Sequence, residues 1–315
     1  MARTTRPRFI ARSRAMRDLD EQIRRFAHSD SNVLIAGETG TGKNAVAIEL
    51  HIRGPRAKRP FVAIDCASLS PTLIDSELFG HERGAFTDAV TARAGRFELA
   101  GGGTVYLDAV TELAVEAQGK LLRIVEEKRV ERLGAQTSMP MTARIVASAD
   151  ARIEDAVRAG AFRHDLYHRL RVLPIFLPPL RERSDDVIPL ARYFLSRAAA
   201  ALRRETPALA REAAAALRDY AWPGNVRELQ HAMQRAFDAC DGGTIELRHL
   251  PDEVLDAPSL YSDEALAHRP TLDEVEQRYI ASTLRHVHGN QTEAARILGI
   301  SRKALWEKRK RYGLD

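Results

Sequence analysis

Cysteine is nearly absent. Two residues, Cys66 and Cys240, stand far apart in 315 positions, which excludes a disulfide framework and a cysteine-built metal motif. That usage fits a reducing cytoplasm. No stretch is long and apolar enough to span a bilayer, so no membrane is expected as a partner. The basic N-terminus, MARTTRPRF, has no apolar run behind it and does not read as a secretory signal. Neither an internal repeat nor a low-complexity tract is visible beyond alanine-rich helical runs. What remains is 44% hydrophobic and 29% charged, with a formal net charge of +5 and a pI near 9.3. This is ordinary for a soluble chain of two or three domains. The basic balance suits an anionic partner.

Gly37–Asn44, GETGTGKN, follows an apolar run (Val33–Ala36) and precedes a helical segment (Ala45–His51). Glycines at 37, 40 and 42 let backbone N–H groups turn toward one point. Lys43 adds a cation, and the helix start adds its dipole. The spacing matches a phosphate-binding P-loop, with Asn44 where that pattern takes Ser or Thr. Further apolar runs at Phe61–Ile64, Gly101–Asp108, Arg144–Ala149 and Leu173–Leu177 alternate with helical segments, including Phe9–Ala27 and Gln118–Glu127. The alternation predicts a parallel α/β sheet. Beyond Pro178-Pro179 the pattern turns all-helical, over Asp185–Ala201, Arg211–Tyr220 and Val226–Cys240. Asp108 closes its run 65 residues after Lys43. Paired with a P-loop, such a carboxylate suits Mg²⁺ held through water.

Taken in order, GETGTGK at 37–43, ELFGHERGAFTDA at 77–89, GGGTVYLD at 101–108, FRHDLYHRL at 162–170, LPPLRER at 177–183 and WPGNVREL at 222–229 carry a resemblance. The chain resembles the bacterial sigma-54-dependent transcriptional activators, a branch of the AAA+ ATPases. The resemblance implies an AAA+ α/β ATP-binding subdomain at 1–178, a helical lid at 179–255, a linker at 256–270 and a Fis-type helix-turn-helix at 271–315. It implies a homo-oligomeric ring, a hexamer or a dimer that assembles into one, that uses ATP and Mg²⁺ to remodel promoter-bound sigma-54 RNA polymerase. Many members carry a sensing domain before the ATPase, and this sequence leaves no room for one there.

Residue by residue, Gly37, Glu38, Thr39, Gly40, Thr41, Gly42, Lys43 and Asn44 match the phosphate loop, and Asp108 matches the Mg²⁺ acid. Arg163 and Arg169 match arginine fingers that serve a neighbouring subunit's nucleotide. Arg227 matches the lid's sensor arginine. Gly84, Ala85, Phe86, Thr87, Asp88 and Ala89 match the loop that touches the sigma factor, with Asp88 replacing its second glycine. Asn44 is no departure within the family, which usually has Glu there. Other departures cluster at the chemistry. The family's catalytic Glu is Ala109, a methyl that accepts no proton. Asp65 stands where Asn is usual. The sensor strand ends Ala149-Asp150 instead of Thr-Asn. Asp65 or Asp150 is therefore the candidate substitute base. His164 and His168 have the i, i+4 spacing of a zinc protease, but Asp replaces its Glu and no third ligand is suggested.

The last segment pairs a helix at Gln291–Leu298 with a basic helix at Ser301–Tyr312 across Gly299-Ile300. Ser301 is a good N-cap. Ala294, Ala295, Ile297, Leu298, Ile300 and Leu305 are the expected interior. The run GNQTEAARILGISRKALWEKRKRYGL also resembles the Fis-type domain that ends these activators. Arg302, Lys303 and Trp306 are the expected groove-facing residues, and Lys308, Arg309 and Lys310, with Arg311, the expected phosphate contacts. Leu272–Val287 is the expected dimerising helix. Two functions stand: an ATP-driven activator on double-stranded DNA upstream of the promoter, or a hydrolysis-impaired, nucleotide-gated DNA-binding regulator that does not remodel sigma-54 and acts alone or within a mixed ring. Ala109 and Asp88 favour the second; the arginine fingers and Phe86-Thr87 favour the first.

Overall fold

The computed structural model describes residues 9–68, 71–86, 89–255, 271–287 and 290–313. Thr87, Asp88, the arm at 1–8 and the linker expected at 256–270 lie outside the described residues. Two compact units are present, one of residues 1–194 with 222–231, the other of 195–221 with 232–315.

In the first unit, five parallel strands form one sheet. Its order across the sheet is Phe61–Asp65, Thr104–Asp108, Arg144–Ala149, Val33–Ala36 and Leu173–Phe176. Side chains alternate between the two faces. Val105, Leu107, Ile145, Ala147 and Leu34 enter one core, packed with Leu121, Ile124, Leu166 and Leu170. Tyr106, Val146, Val33 and Ile35 enter the other, with Met16, Leu19, Ile23, Val46 and Leu50. Both faces are covered, which is why these strands read as unbroken apolar runs. Truncating a fully buried leucine such as Leu121 costs about 2–5 kcal/mol.

Local chemistry trims the elements. The first helix starts at Arg14, not Phe9, because Ser13 caps it: Ser13 Oγ accepts the Met16 N–H at 3.3 Å and donates to Asp186 Oδ2 at 2.7 Å. The strand that ends at Asp108 starts at Thr104 because Gly101, with φ of 51°, turns the chain. Helices follow at Lys43–Ile52, Val115–Glu127 and His164–Leu170. Parallel strands put their C-terminal ends along one sheet edge, so Ala36, Asp65, Asp108 and Ala149 share it.

Beyond the sheet, helices run Val187–Ala201, Arg211–Asp219 and Asn225–Ala239. The all-helical expectation misses one short parallel pair, Ala208–Leu209 with Thr244–Ile245. In the C-terminal segment, Leu272–His286, Gln291–Ile297 and Arg302–Tyr312 surround Ile280, Ala294, Ala295 and Leu305. Ile297 was expected inside and is 41% exposed. It ends its helix on the outer side, and Leu284 of the first helix and Val287, just after that helix, close the core instead. Among the described residues no helix is long and apolar enough to cross a membrane.

Candidate functional site

The loop at Gly37–Asn44 leaves the C-terminal end of Val33–Ala36 and enters the helix at Lys43. Gly40 and Gly42 take φ of 81° and 106°, conformations that L side chains rarely adopt. A Cβ at Gly37 would lie 2.7 Å from the Leu177 carbonyl oxygen, and one at Gly40 would lie 2.4 Å from that of Gly224. At Gly42 a Cβ would meet nothing within 4 Å. The loop is thus packed on its inner side and open at the helix start. Lys43 Nζ donates to the carbonyls of Gly37 (2.6 Å) and Glu38 (3.1 Å). Burial holds its ammonium below the usual lysine range; Asp108 and then Asp150 oppose that shift, and Arg227 adds to it. Open backbone donors, a desolvated cation and a helix start form a cradle that fits a phosphate chain.

Asp108 lies beside this cradle. Its Oδ1 accepts from Tyr106 Oη at 2.9 Å and Ser148 Oγ at 2.5 Å. Among the described residues Oδ2 takes no donor, which leaves one oxygen for a hydrated cation. Ser148 Oγ also accepts the Ala109 N–H at 3.0 Å, and Ala109 is left-handed, with φ of 55°. Asp65 is the register partner of Asp108 across the two strands. Its Oδ1 accepts the Ala67 N–H at 3.0 Å, and Asp150 Oδ1 accepts the Arg152 N–H at 3.0 Å. Both candidate bases therefore stand at the edge that carries the loop, each tied into its own turn. Cys66, next along, is buried; that burial first, then Asp108 and Asp65, pushes its thiol up to about 12.

Three residues around the loop were not singled out from the sequence, although their motifs were. Arg181 makes two bonds to Glu38, at 2.6 and 3.0 Å, and Asn225 Nδ2 donates to Glu38 Oε2 and to the Thr39 carbonyl, each at 3.1 Å. These contacts, Arg181 first, hold the Glu38 carboxyl below its usual range. Arg183, buried, donates to the Thr41 carbonyl at 2.6 Å; burial brings its guanidinium down to about 10, partly offset by Asp186. Arg227 is exposed, and its backbone N–H donates to the Gly40 carbonyl at 3.3 Å. Asn44 is exposed at the helix start.

Arg163, at the N-cap, and Arg169, in the last turn, are exposed at the two ends of the short helix at His164–Leu170. Arg163 pairs with Asp165 at 2.8 Å and Arg169 with Glu126 at 3.0 Å. At the 84–89 loop, Gly84 has φ of 83° and donates to the Ala89 carbonyl at 2.8 Å, while Ala89 is buried. Phe86 is 41% exposed and sets its ring against His81, 5.0 Å between centroids.

Three family models now match this arrangement in order: the Sigma-54 interaction domain over residues 9–176, the AAA+ ATPase lid domain over 181–265, and the Bacterial regulatory protein, Fis family, over 271–312. The chain belongs to the sigma-54 activator family. Relatives in this family include the transcriptional regulatory protein ZraR of Klebsiella oxytoca, 44% identical over 95% of this chain and 68% of its own length. The nitrogen fixation protein VnfA of Azotobacter vinelandii is 41% identical over 97% of this chain and 59% of its own length. The DNA-binding transcriptional regulator NtrC of Escherichia coli K12 is 40% identical over 97% and 70%. NtrX from Brucella abortus, solved in complex with ATP, superposes with a TM-score of 0.75 at 31% identity, over 97% of this chain and 70% of that one. The chain thus spans between about three-fifths and seven-tenths of these relatives' lengths.

The family's third part, the Fis-type segment, forms a helix-turn-helix. Asn290 caps its first short helix, accepting from Thr292 and Glu293, and Gly299 turns the chain with φ of 66°. Ser301 caps the second helix, accepting the Ala304 N–H at 3.1 Å. Arg302, Lys303, Trp306 and Lys310 are exposed on that helix, with the Lys310 ammonium 5.5 Å over the Trp306 ring. Lys308 differs from expectation. It follows the buried Leu305 by three residues, so it faces inward and pairs with Glu276 at 2.6 Å. Arg309 is half-buried, and Arg311 pairs with Asp273 at 2.9 Å.

Proposed function

We propose that this chain is a DNA-binding transcription regulator that takes ATP at Gly37–Asn44, assembles as a homo-oligomeric ring and acts on sigma-54 RNA polymerase. The observation that carries it is the loop itself: Lys43 desolvated beside Asp108, with the backbone open at Gly42. Lys43 and the loop N–H groups hold the phosphates. Asp108, steadied by Ser148 and Tyr106, holds Mg²⁺ through water, and the ion supplies charge neutralisation at the phosphates. Arg227 reads the bound nucleotide from the 222–231 segment. Arg163 and Arg169 are offered to a neighbouring subunit, and Phe86 anchors the sigma-contacting loop. NtrX, the solved relative, is named in complex with ATP and with ADP, which supports the nucleotide assignment. The ATP-binding part corresponds to residues 1–178, the lid to 179–255 and the DNA reader to 271–315.

One observation favours a second reading, a nucleotide-gated regulator that scarcely hydrolyses. Ala109 leaves no carboxylate at the base position, and Asp65 and Asp150 are each engaged by a local backbone N–H. The two readings separate when ATP turnover and sigma-54 open-complex formation are measured in one preparation. Both activities support the first reading. Turnover without open complexes places the defect in the 84–89 loop. Neither activity establishes the second.

A further inference from the structure

A pair of histidines outside the nucleotide site makes a ligand set of its own. His164 and His168 are four residues apart on one helix, so both emerge on the same face. Their Nε2 atoms are 3.0 Å apart, with ring centroids 4.3 Å apart and planes at 63°. Between neutral rings that distance is one hydrogen bond, one Nε2 donating and the other accepting. It is also the spacing of two nitrogens on one ion. With metal–nitrogen bonds of about 2.0–2.1 Å, nitrogens 3.0 Å apart subtend roughly 90–100° at the metal.

We propose that His164 and His168 form a two-histidine site for a divalent transition-metal ion of the zinc class, its remaining positions filled by water. Both rings bind as neutral imidazoles with the proton on Nδ1. The donor ring changes tautomer, and the mutual hydrogen bond gives way to two metal–nitrogen bonds. Both side chains are exposed, so a hydrated ion reaches them. Tyr167, buried and tied through Oη to Glu154 at 2.8 Å, sets its ring edge-on to His168 at 5.3 Å and backs one ligand against rotation. The guanidiniums of Arg163 and Arg169 are already paired with Asp165 and Glu126, which reduces their repulsion of a cation. Among the described residues no group of three ligating side chains converges, so this is an open site and not a hydrolytic zinc centre. Cys66 and Cys240 are buried and do not compete. Where Arg163 and Arg169 serve a neighbouring subunit, a consequence that rests on the reading above, occupancy adds a double positive charge to the helical segment that carries them.

The test titrates zinc chloride into the full chain, without nucleotide, by isothermal calorimetry at pH 7.5, beside His164→Gln and His168→Gln. The expected result is one class of site that each variant weakens by about tenfold or more. An isotherm unchanged in both variants overturns the proposal. A second measurement needs no variant: diethylpyrocarbonate labelling of the wild type, read by mass spectrometry. Zinc is expected to protect both histidines, and equal labelling with and without zinc overturns the site. Neither assay involves ATP, DNA or polymerase, so failure here leaves the nucleotide and DNA reading standing.

Discussion

Ser148 Oγ donates to Asp108 Oδ1 at 2.5 Å and accepts the Ala109 N–H at 3.0 Å, so one hydroxyl holds both the metal acid and the residue after it. Removing it takes one of the two donors from Asp108 Oδ1, leaving Tyr106 Oη, and deprives the Ala109 N–H of its acceptor. Ser148→Ala is expected to cost about 1–3 kcal/mol of stability, as for a hydrogen bond to a charged group. It is also expected to weaken ATP binding more in the presence of Mg²⁺ than in its absence. Urea unfolding and nucleotide titration with and without Mg²⁺ check both. Equal losses under the two conditions would separate Ser148 from the metal acid.

Ala109 suggests a gain-of-function experiment. Its backbone is already left-handed with a Cβ in place, so a longer side chain adds no new backbone strain. Ala109→Glu restores a carboxylate after Asp108. If hydrolysis is limited by the absent base, steady-state turnover rises by about 10²-fold or more. A variant no faster than the parent places the limit elsewhere. In that case Asp65→Asn and Asp150→Asn, each assayed in the parent, show whether either acid already carries the proton.

Much of this site was legible because its residues sit where apolar runs stop. A strand ending in Asp108 and another running into a glycine loop are visible as text, and parallel pairing puts their ends together. Ser148 was not legible, since a serine inside RIVASA carries no periodicity and its role depends on which strand lies alongside. Arg181 and Asn225 were written in quoted motifs, yet their shared partner Glu38 is 143 and 187 positions away. The pair at Ala208–Leu209 and Thr244–Ile245 is too short to show an alternation. Ile297 and Lys308 failed for one reason: composition gives a helix's residues but not which face its partner covers.

Cys66 provides a reporter beside the acids. Its thiol is held up to about 12, above its unfolded value near 9.0. The thiol form is therefore favoured by folding. That contribution is fully present below pH 9 and is lost as pH rises through the folded value. Native chain at pH 8 is expected to resist iodoacetamide at Cys66, with labelling only after unfolding. From pH 9 upward the wild type should lose stability faster than Cys66→Ala. Parallel alkaline profiles for the two would show that the thiol is not buried beside Asp108 and Asp65.

The last helix of the C-terminal segment divides its basic residues by face, and the two sets should fail differently. Arg302, Lys303, Trp306 and Lys310 are exposed together, whereas Lys308 is paired with Glu276 and shares the face of the buried Leu305. Tyr312 Oη donates to the same Glu276 at 2.6 Å, so Lys308 belongs to a small polar clamp between the first and last helices. Lys308→Ala is expected to lower the melting temperature of this segment and to leave the salt slope of DNA binding unchanged. Lys310→Ala is expected to leave folding intact and to reduce that slope by about one phosphate contact. Arg302→Ala or Lys303→Ala, if these residues reach base edges, weakens binding by about 1–3 kcal/mol and relaxes sequence preference. Binding isotherms on one duplex across a salt series, with thermal melts of each variant, distinguish the faces. A reduced salt slope for Lys308→Ala with an unchanged melt would return that residue to the DNA surface.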